Sequence, residues 1–398
     1  MTLDVARLRR ETPGCDDLIH FDNAGAALMP DAVYKTVVDH LARERQRGGY
    51  RAAEDASIDV QRVYASAARL LDCRADEIAI VENATRAWDM AFYAIPLRAG
   101  DRILTGRSEY CSNYIAMTQV CRRTGARLEV IPDDDTGQVS IEALERTLDG
   151  SVKLIALTHV PMTSGLVNPA AAVGRVARAA GIPFLLDACQ SVGQLPVSVR
   201  DIGCDMLTAT SRKYLRGPRG VGLLYVRAEL AARLEPPFID IQAIDWEHWE
   251  APGPFVLRAD ARRFENWETN YAGKLGLGSA IDYALGLDIA QTYPVVRDLA
   301  AELRSRLAQI PGVGIHDRGS ERCGIVSVTL EGSDPHDVAR ELASRSINVT
   351  ASGAAGTPLD LPARGLTAGI VRASVHYYNT TAEVERFCAA LAEIQSTL

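Results

Sequence analysis

Seven short apolar runs punctuate the chain between about Glu77 and Val226: EIAIVE, RILTG, RLEVIP, KLIALTHV, PFLLDA, DMLTATS and GVGLLYV. They are rich in Ile, Val and Leu, and many are bounded by Gly, Pro or Asp, which suits strands buried on both faces. Helix-like stretches separate them. Buried strands alternating with helices predict an α/β fold built on a large, doubly wound, mostly parallel sheet. After residues 236–262, which carry the Pro236–Pro237 pair and the aromatic IDWEHWE, the chain becomes helix-rich. KLGLGSAIDYALGLDIA repeats apolar residues at helical spacing. Beyond it the pattern predicts a helix around 294–309, a strand at GIVSVTL, a helix after DPHDVARELASR, strands at INVT and IVRASVH, and a terminal helix. That is a smaller C-terminal α+β domain. The expected division is residues 1–20 packing with the small domain, 21–262 as the large ligand-binding domain, and 263–398 as the small one, with the site between them.

Composition narrows the partners. With 398 residues, 47% hydrophobic and 24% charged, the chain is an ordinary globular protein long enough for two cores. A net charge of −8 and no run of Lys or Arg argue against nucleic acid or an acidic membrane surface. The eight cysteines form no C-x-x-C pair and have no flanking His cluster, so neither zinc nor a disulfide framework is expected. The opening MTLDVARLRRETPGCDD has charges where a signal peptide needs an apolar stretch, and no segment approaches the length of a membrane span. A cytoplasmic protein acting on a small molecule is the expectation.

The chemistry is concentrated in DACQSVGQ at 187–194 and TATSRKYLRGPRGVG at 208–222. The run PFLL delivers Asp187 to the C-terminal end of a strand, where doubly wound sheets bind ligands. The next strand ends at Lys213, 26 positions on, one strand–helix–strand step away. A carboxylate and a lysine facing one crevice suit pyridoxal 5'-phosphate (PLP): the carboxylate keeps the pyridine nitrogen protonated, and the amine forms a Schiff base with the aldehyde. A nicotinamide dehydrogenase would place its glycines after a strand and at the start of a helix. Those of GPRGVG instead precede the strand GLLYV.

At these residues the chain resembles the class V aminotransferase and cysteine desulfurase superfamily of fold-type-I PLP enzymes, nearly end to end. FDNAGAALMP resembles the start of those chains, which approaches the active site, and Asn23 is a candidate to touch substrate there. NATRAWDM at 83–90 resembles their phosphate cup, implying backbone contacts from Ala84 and Thr85. In SEYCSN, Tyr110 stands where an aromatic ring stacks on the cofactor. Gln190 matches the position that hydrogen-bonds the phenolic oxygen. The lysine motif, usually Ser-x-His-Lys, reads Thr210, Ser211, Arg212, Lys213; a hydroxyl and a guanidinium still suit phosphate. RFENWETN at 263–270 resembles the loop with which a partner subunit touches the phosphate, implying a homodimer and a role for Thr269. VRASVHYYNT resembles the motif whose arginine grips the substrate carboxylate, here Arg372.

Two departures bear on the reaction. Desulfurases of this superfamily carry a nucleophilic Cys in a mobile loop before that arginine, whereas VTASGAAGTPL has Ala355 there, and no Cys lies between Cys323 and Cys388. A methyl group cannot accept sulfur, which argues against persulfide-forming desulfuration. THVPMTSGLVNP offers Met162, Thr163 and Ser164 where relatives place an Asn near the cofactor. The rest, with GGYRAAE at 48–54, resembles the branch of isopenicillin N epimerase-like proteins and ergothioneine-pathway C–S lyases. That resemblance implies β-elimination from a cysteine S-conjugate to thiol or sulfenate, pyruvate and ammonia, with Lys213 as base and Tyr50 and Arg51 reaching substrate from the partner. Transamination, epimerisation and decarboxylating oxidative deamination are the alternatives.

Overall fold

The computed structural model describes residues 3–396. All seven apolar runs are strands of one sheet, ordered Ile78–Val81, Gly222–Val226, Met206–Thr210, Phe184–Asp187, Val152–Thr158, Arg102–Thr105 and Arg127–Val130. Gly222–Val226 runs antiparallel to both its neighbours; the other pairings are parallel. Every residue of FLLD, MLTAT and GLLYV is buried, which is why those runs show no polar alternation.

The small domain is built on a four-stranded antiparallel sheet: Thr350–Ser352, Ile370–Ser374, Ile325–Leu330 and Val313–Ile315. The N-terminal segment joins it. Ile19–His20 pairs in parallel with Ile347–Asn348, and Phe21 meets Phe387 edge-on at 5.4 Å between ring centroids. The helix expected after DPHDVARELASR lies within it, at Pro335–Ser344. The Asp334 side chain accepts from the His336 amide, and Pro335 opens the first turn, so the helix starts as soon as it is capped.

Helix Tyr271–Leu287, read in the sequence as part of the small domain, packs against Asp31–Arg47 and Ser57–Leu71 instead. Its Leu277 and Ile281 are buried in the large-domain core. Glycines permit the approach: a Cβ on Gly276 would stand 2.6 Å from Val37, and one on Gly278 2.8 Å from Val63. Among the described residues, no helix is long and apolar enough to cross a membrane.

Candidate active site

The strand order carries the key side chains to one end of the sheet. Strand Phe184–Asp187 delivers Asp187, and strand Met206–Thr210 ends three residues before Lys213. Beside them, helix Ala84–Phe92 starts at Asn83, whose side chain accepts from the Arg86 amide. A cavity of about 150 Å³ opens there. Ala84, Thr85, Tyr110, Asp187, Gln190, Thr210, Arg212 and Lys213 all line it, together with Asn83, Met162 and Cys189.

Both oxygens of buried Asp187 are held by donors: the Cys189 amide reaches Oδ1 at 2.9 Å and the Asn113 side-chain amide reaches Oδ2 at 2.8 Å. Burial pulls the Lys213 ammonium below the ordinary lysine range. Arg212 and Arg372 push the same way, and Cys189 and Asp187 oppose them. The Arg212 guanidinium is lowered chiefly by burial and then by Arg219, and it donates to the Gly25 carbonyl.

The residues fit a PLP molecule. At the start of a helix the first amides have no carbonyl in a preceding turn, so those of Ala84 and Thr85 are free to meet an anionic phosphate. That end is tightly built: a Cβ on Gly222 would stand 2.3 Å from the Asn83 carbonyl carbon and 2.7 Å from the Ala84 nitrogen. Gln190 Nε2 donates to the Ala24 carbonyl at 3.1 Å, while its buried Oε1 has no hydrogen-bond partner among the described residues. A buried polar atom left unpaired at a cavity wall marks the place of a polar ligand.

Three predicted residues lie elsewhere. Asn23 is fully buried; its amide donates to the carbonyls of His20 and Ser374, and its Oδ1 accepts from the Tyr378 hydroxyl. It joins the N-terminal segment to the small domain instead of facing substrate. Arg372 sits one layer behind the cavity wall, 2.9 Å from Asp22 Oδ1 and 3.2 Å from Thr350 Oγ1, with a guanidinium nitrogen directed at the Met162 carbonyl. Thr269 lines a neighbouring cavity of about 300 Å³, which shares Gly220 with the first. Asp22, Glu109, Asn113 and Cys189, none of them singled out in the sequence, complete the surroundings. The motifs FDNAG, SEYCSN and DACQ contain all four.

These features define a PLP pocket on a fold-type-I scaffold. The chain belongs to the class-V aminotransferase family, whose model matches residues 19–387, and its cofactor is PLP. It is 32% identical over 406 aligned positions, covering 99% of this chain and 95% of the other, to a probable cysteine desulfurase of Xylella fastidiosa strain 9a5c. A solved apo cysteine desulfurase from Thermococcus onnurineus NA1 superposes with a TM-score of 0.91 at 27% identity, covering 100% of this chain and 99% of that one. A C-DES variant with glycine covalently linked to its PLP shares the fold, with a TM-score of 0.86 at 21% identity over 97% of this chain and 99% of that one. These relationships correct the β-lyase expectation. Relatives that match essentially the whole chain are named cysteine desulfurases, the group that the missing loop thiol had been taken to argue against.

Proposed function

We propose that the protein is a PLP-dependent enzyme that mobilises the sulfur of cysteine, using an acceptor thiol that it does not itself carry. The reading is carried by the relationship, 32% identical over nearly the full chain, to a probable cysteine desulfurase. The acceptor is inferred from the chain's own thiols. The stretch 349–359 has none. Cys189 does line the cavity, but burial and then Asp187 raise its pKa well above the usual range, so it stays protonated and poorly nucleophilic.

Bound in this cavity, the cofactor supplies an electron sink for negative charge developing on the substrate carbons. Ala84, Thr85, Thr210 and Arg212 would hold its phosphate, Tyr110 would lie against its ring, and Gln190 would bond its phenolic oxygen. Asp187 keeps the proton on the pyridine nitrogen. Lys213 anchors the cofactor and, favoured as a neutral amine by burial, takes the Cα proton and later returns a proton to the product. Arg372 leaves Asp22 to bind the substrate carboxylate. In the net reaction the Cβ–Sγ bond breaks and an S–S bond forms, so cysteine and a thiol yield alanine and a persulfide.

We also infer a homodimer in which Thr269, Tyr50 and Arg51 serve the partner's site. Exposed apolar side chains support it: Tyr34, Val38 and Leu41 along one helix, then Tyr50, Phe238 and Trp246. The test is to incubate the holoenzyme with L-cysteine, with and without dithiothreitol, and to assay alanine, sulfide and pyruvate. Dithiothreitol-dependent alanine and sulfide in equal amounts, absent in Lys213→Ala, are expected. Pyruvate without alanine would overturn the assignment.

A further inference from the structure

Beside Asp187 lies a second carboxyl group, Glu109, which the chemistry above does not use. It is 1% exposed, and no lysine or arginine pairs with it among the described residues. Its Oε1 collects the backbone amide of Tyr110 at 2.8 Å, the Asn113 side-chain amide at 2.8 Å and the Thr158 hydroxyl at 2.5 Å; Oε2 lies 2.9 Å from Thr105 Oγ1. A buried carboxyl without a cation is costly as a charge. Burial accordingly pushes this one up to about 7, and the charge of Asp187 adds to the shift. Thr105 Oγ1 donates to Oε2 when the carboxyl is ionised and, with its hydroxyl turned, accepts the proton of the neutral form, while Oε1 remains an acceptor for its three donors. The arrangement accommodates the neutral acid, which predominates below about pH 7.

Two of those donors lead to the cofactor. The Asn113 side-chain amide has two hydrogens and spends one on Glu109 and the other on Asp187 Oδ2. Its orientation is thereby fixed, since its carbonyl oxygen cannot face either carboxyl. The second donor is the backbone amide of Tyr110, the residue that precedes helix Cys111–Thr124 and carries the ring at the cavity. One oxygen atom therefore sets the carboxylate on one side of the pocket and the aromatic ring on another.

We propose that Glu109 is a positioning residue for the cofactor, holding Asp187 through Asn113 and Tyr110 through its backbone amide. This rests on PLP occupying this cavity and is independent of the sulfur chemistry. The role needs an acceptor at Oε1, not a charge, so the amide of Gln serves and an alkyl group does not. Glu109→Leu leaves the three donors to Oε1 unpaired and both cofactor contacts unanchored.

The test uses the holoenzyme, reading the PLP dissociation constant by fluorescence and cofactor orientation by visible circular dichroism. Glu109→Gln is expected to keep both, with affinity within about twofold of wild type, whereas Glu109→Leu weakens PLP binding about tenfold or more and loses most of the visible signal. Asn113→Leu, which spares Glu109, should reproduce the loss. That variant decides the matter if Glu109→Leu fails to fold. Wild-type affinity and signal in both leucine variants, with only the melting temperature lowered, would reduce Glu109 to a structural residue and overturn the proposal. So would a Gln variant as defective as Leu. Loss of all visible signal in wild type would instead count against the cofactor assignment itself.

Discussion

A buried acid that prefers its proton makes the fold sensitive to pH in a direction opposite to most carboxylates. Glu109 is raised from 4.5 to about 7 on folding, so the folded state binds the proton more tightly than the unfolded chain does. Its contribution is fully present below the unfolded value and is lost as pH rises through about 7. At about 1.36 kcal/mol per pH unit, the cost is about 1 kcal/mol at pH 5 and roughly 3 kcal/mol at pH 8. Glu109→Gln keeps the shape and removes the titration. Urea unfolding of the cofactor-free wild type and variant at both pH values reads the effect of Glu109 together with its coupling to Asp187. The variant should gain roughly 2 kcal/mol on wild type between pH 5 and pH 8. A difference that stays flat with pH, or that moves the other way, would refute the neutral-acid assignment.

Other perturbations probe the rest of the molecule. Gly222→Ala drives a Cβ into the backbone of Asn83 and Ala84 and should displace the helix start at the phosphate end, weakening PLP binding about tenfold or more in a fluorescence titration. Unchanged affinity would remove that helix end from the phosphate site. Arg372→Lys loses the planar fork that matches a carboxylate, so KM for cysteine should rise about tenfold or more with a smaller change in kcat; a pure kcat effect would point away from substrate binding. Phe387→Ala empties a fully buried position against Phe21 and should cost about 3–5 kcal/mol of stability in denaturant unfolding. A cost below about 1 kcal/mol would mean that the small domain collapses around the gap.

What was legible in the sequence depended on how local its cause is. The seven strands were legible because burial on both faces removes polar positions from each run, a property of consecutive residues. Asp187 and Lys213 were legible because strand ends fix where such residues emerge. Helix Tyr271–Leu287 reads as helix for the same reason, but its membership in the large core depends on the fit of Gly276 and Gly278 against Val37 and Val63, more than 200 positions away. Arg372 was legible through the motif its strand resembles, while its partner Asp22 stands 350 positions earlier. Asn23 shows the converse: a polar residue in a motif near the site turns out to serve carbonyls of the framework. Glu109 adjoins Tyr110 in a motif already singled out, yet nothing local marks it as buried. Thr105, Thr158 and Asp187 enclose it only once three strands lie side by side.

The missing loop thiol weighs differently from these cases. It was legible, since Ala355 stands in plain sequence, but it removes a step only if no other molecule can perform that step. Cofactor capture, proton transfer and carboxylate binding need groups fixed to the scaffold within a few ångströms, and the chain retains candidates for each. A sulfur acceptor needs only a thiolate that can approach the substrate's sulfur, and a diffusing thiol meets that requirement. A residue whose work can be done from solution is therefore the weakest ground for excluding an activity. That is why the relationship along the whole chain outweighs the absence of a single side chain.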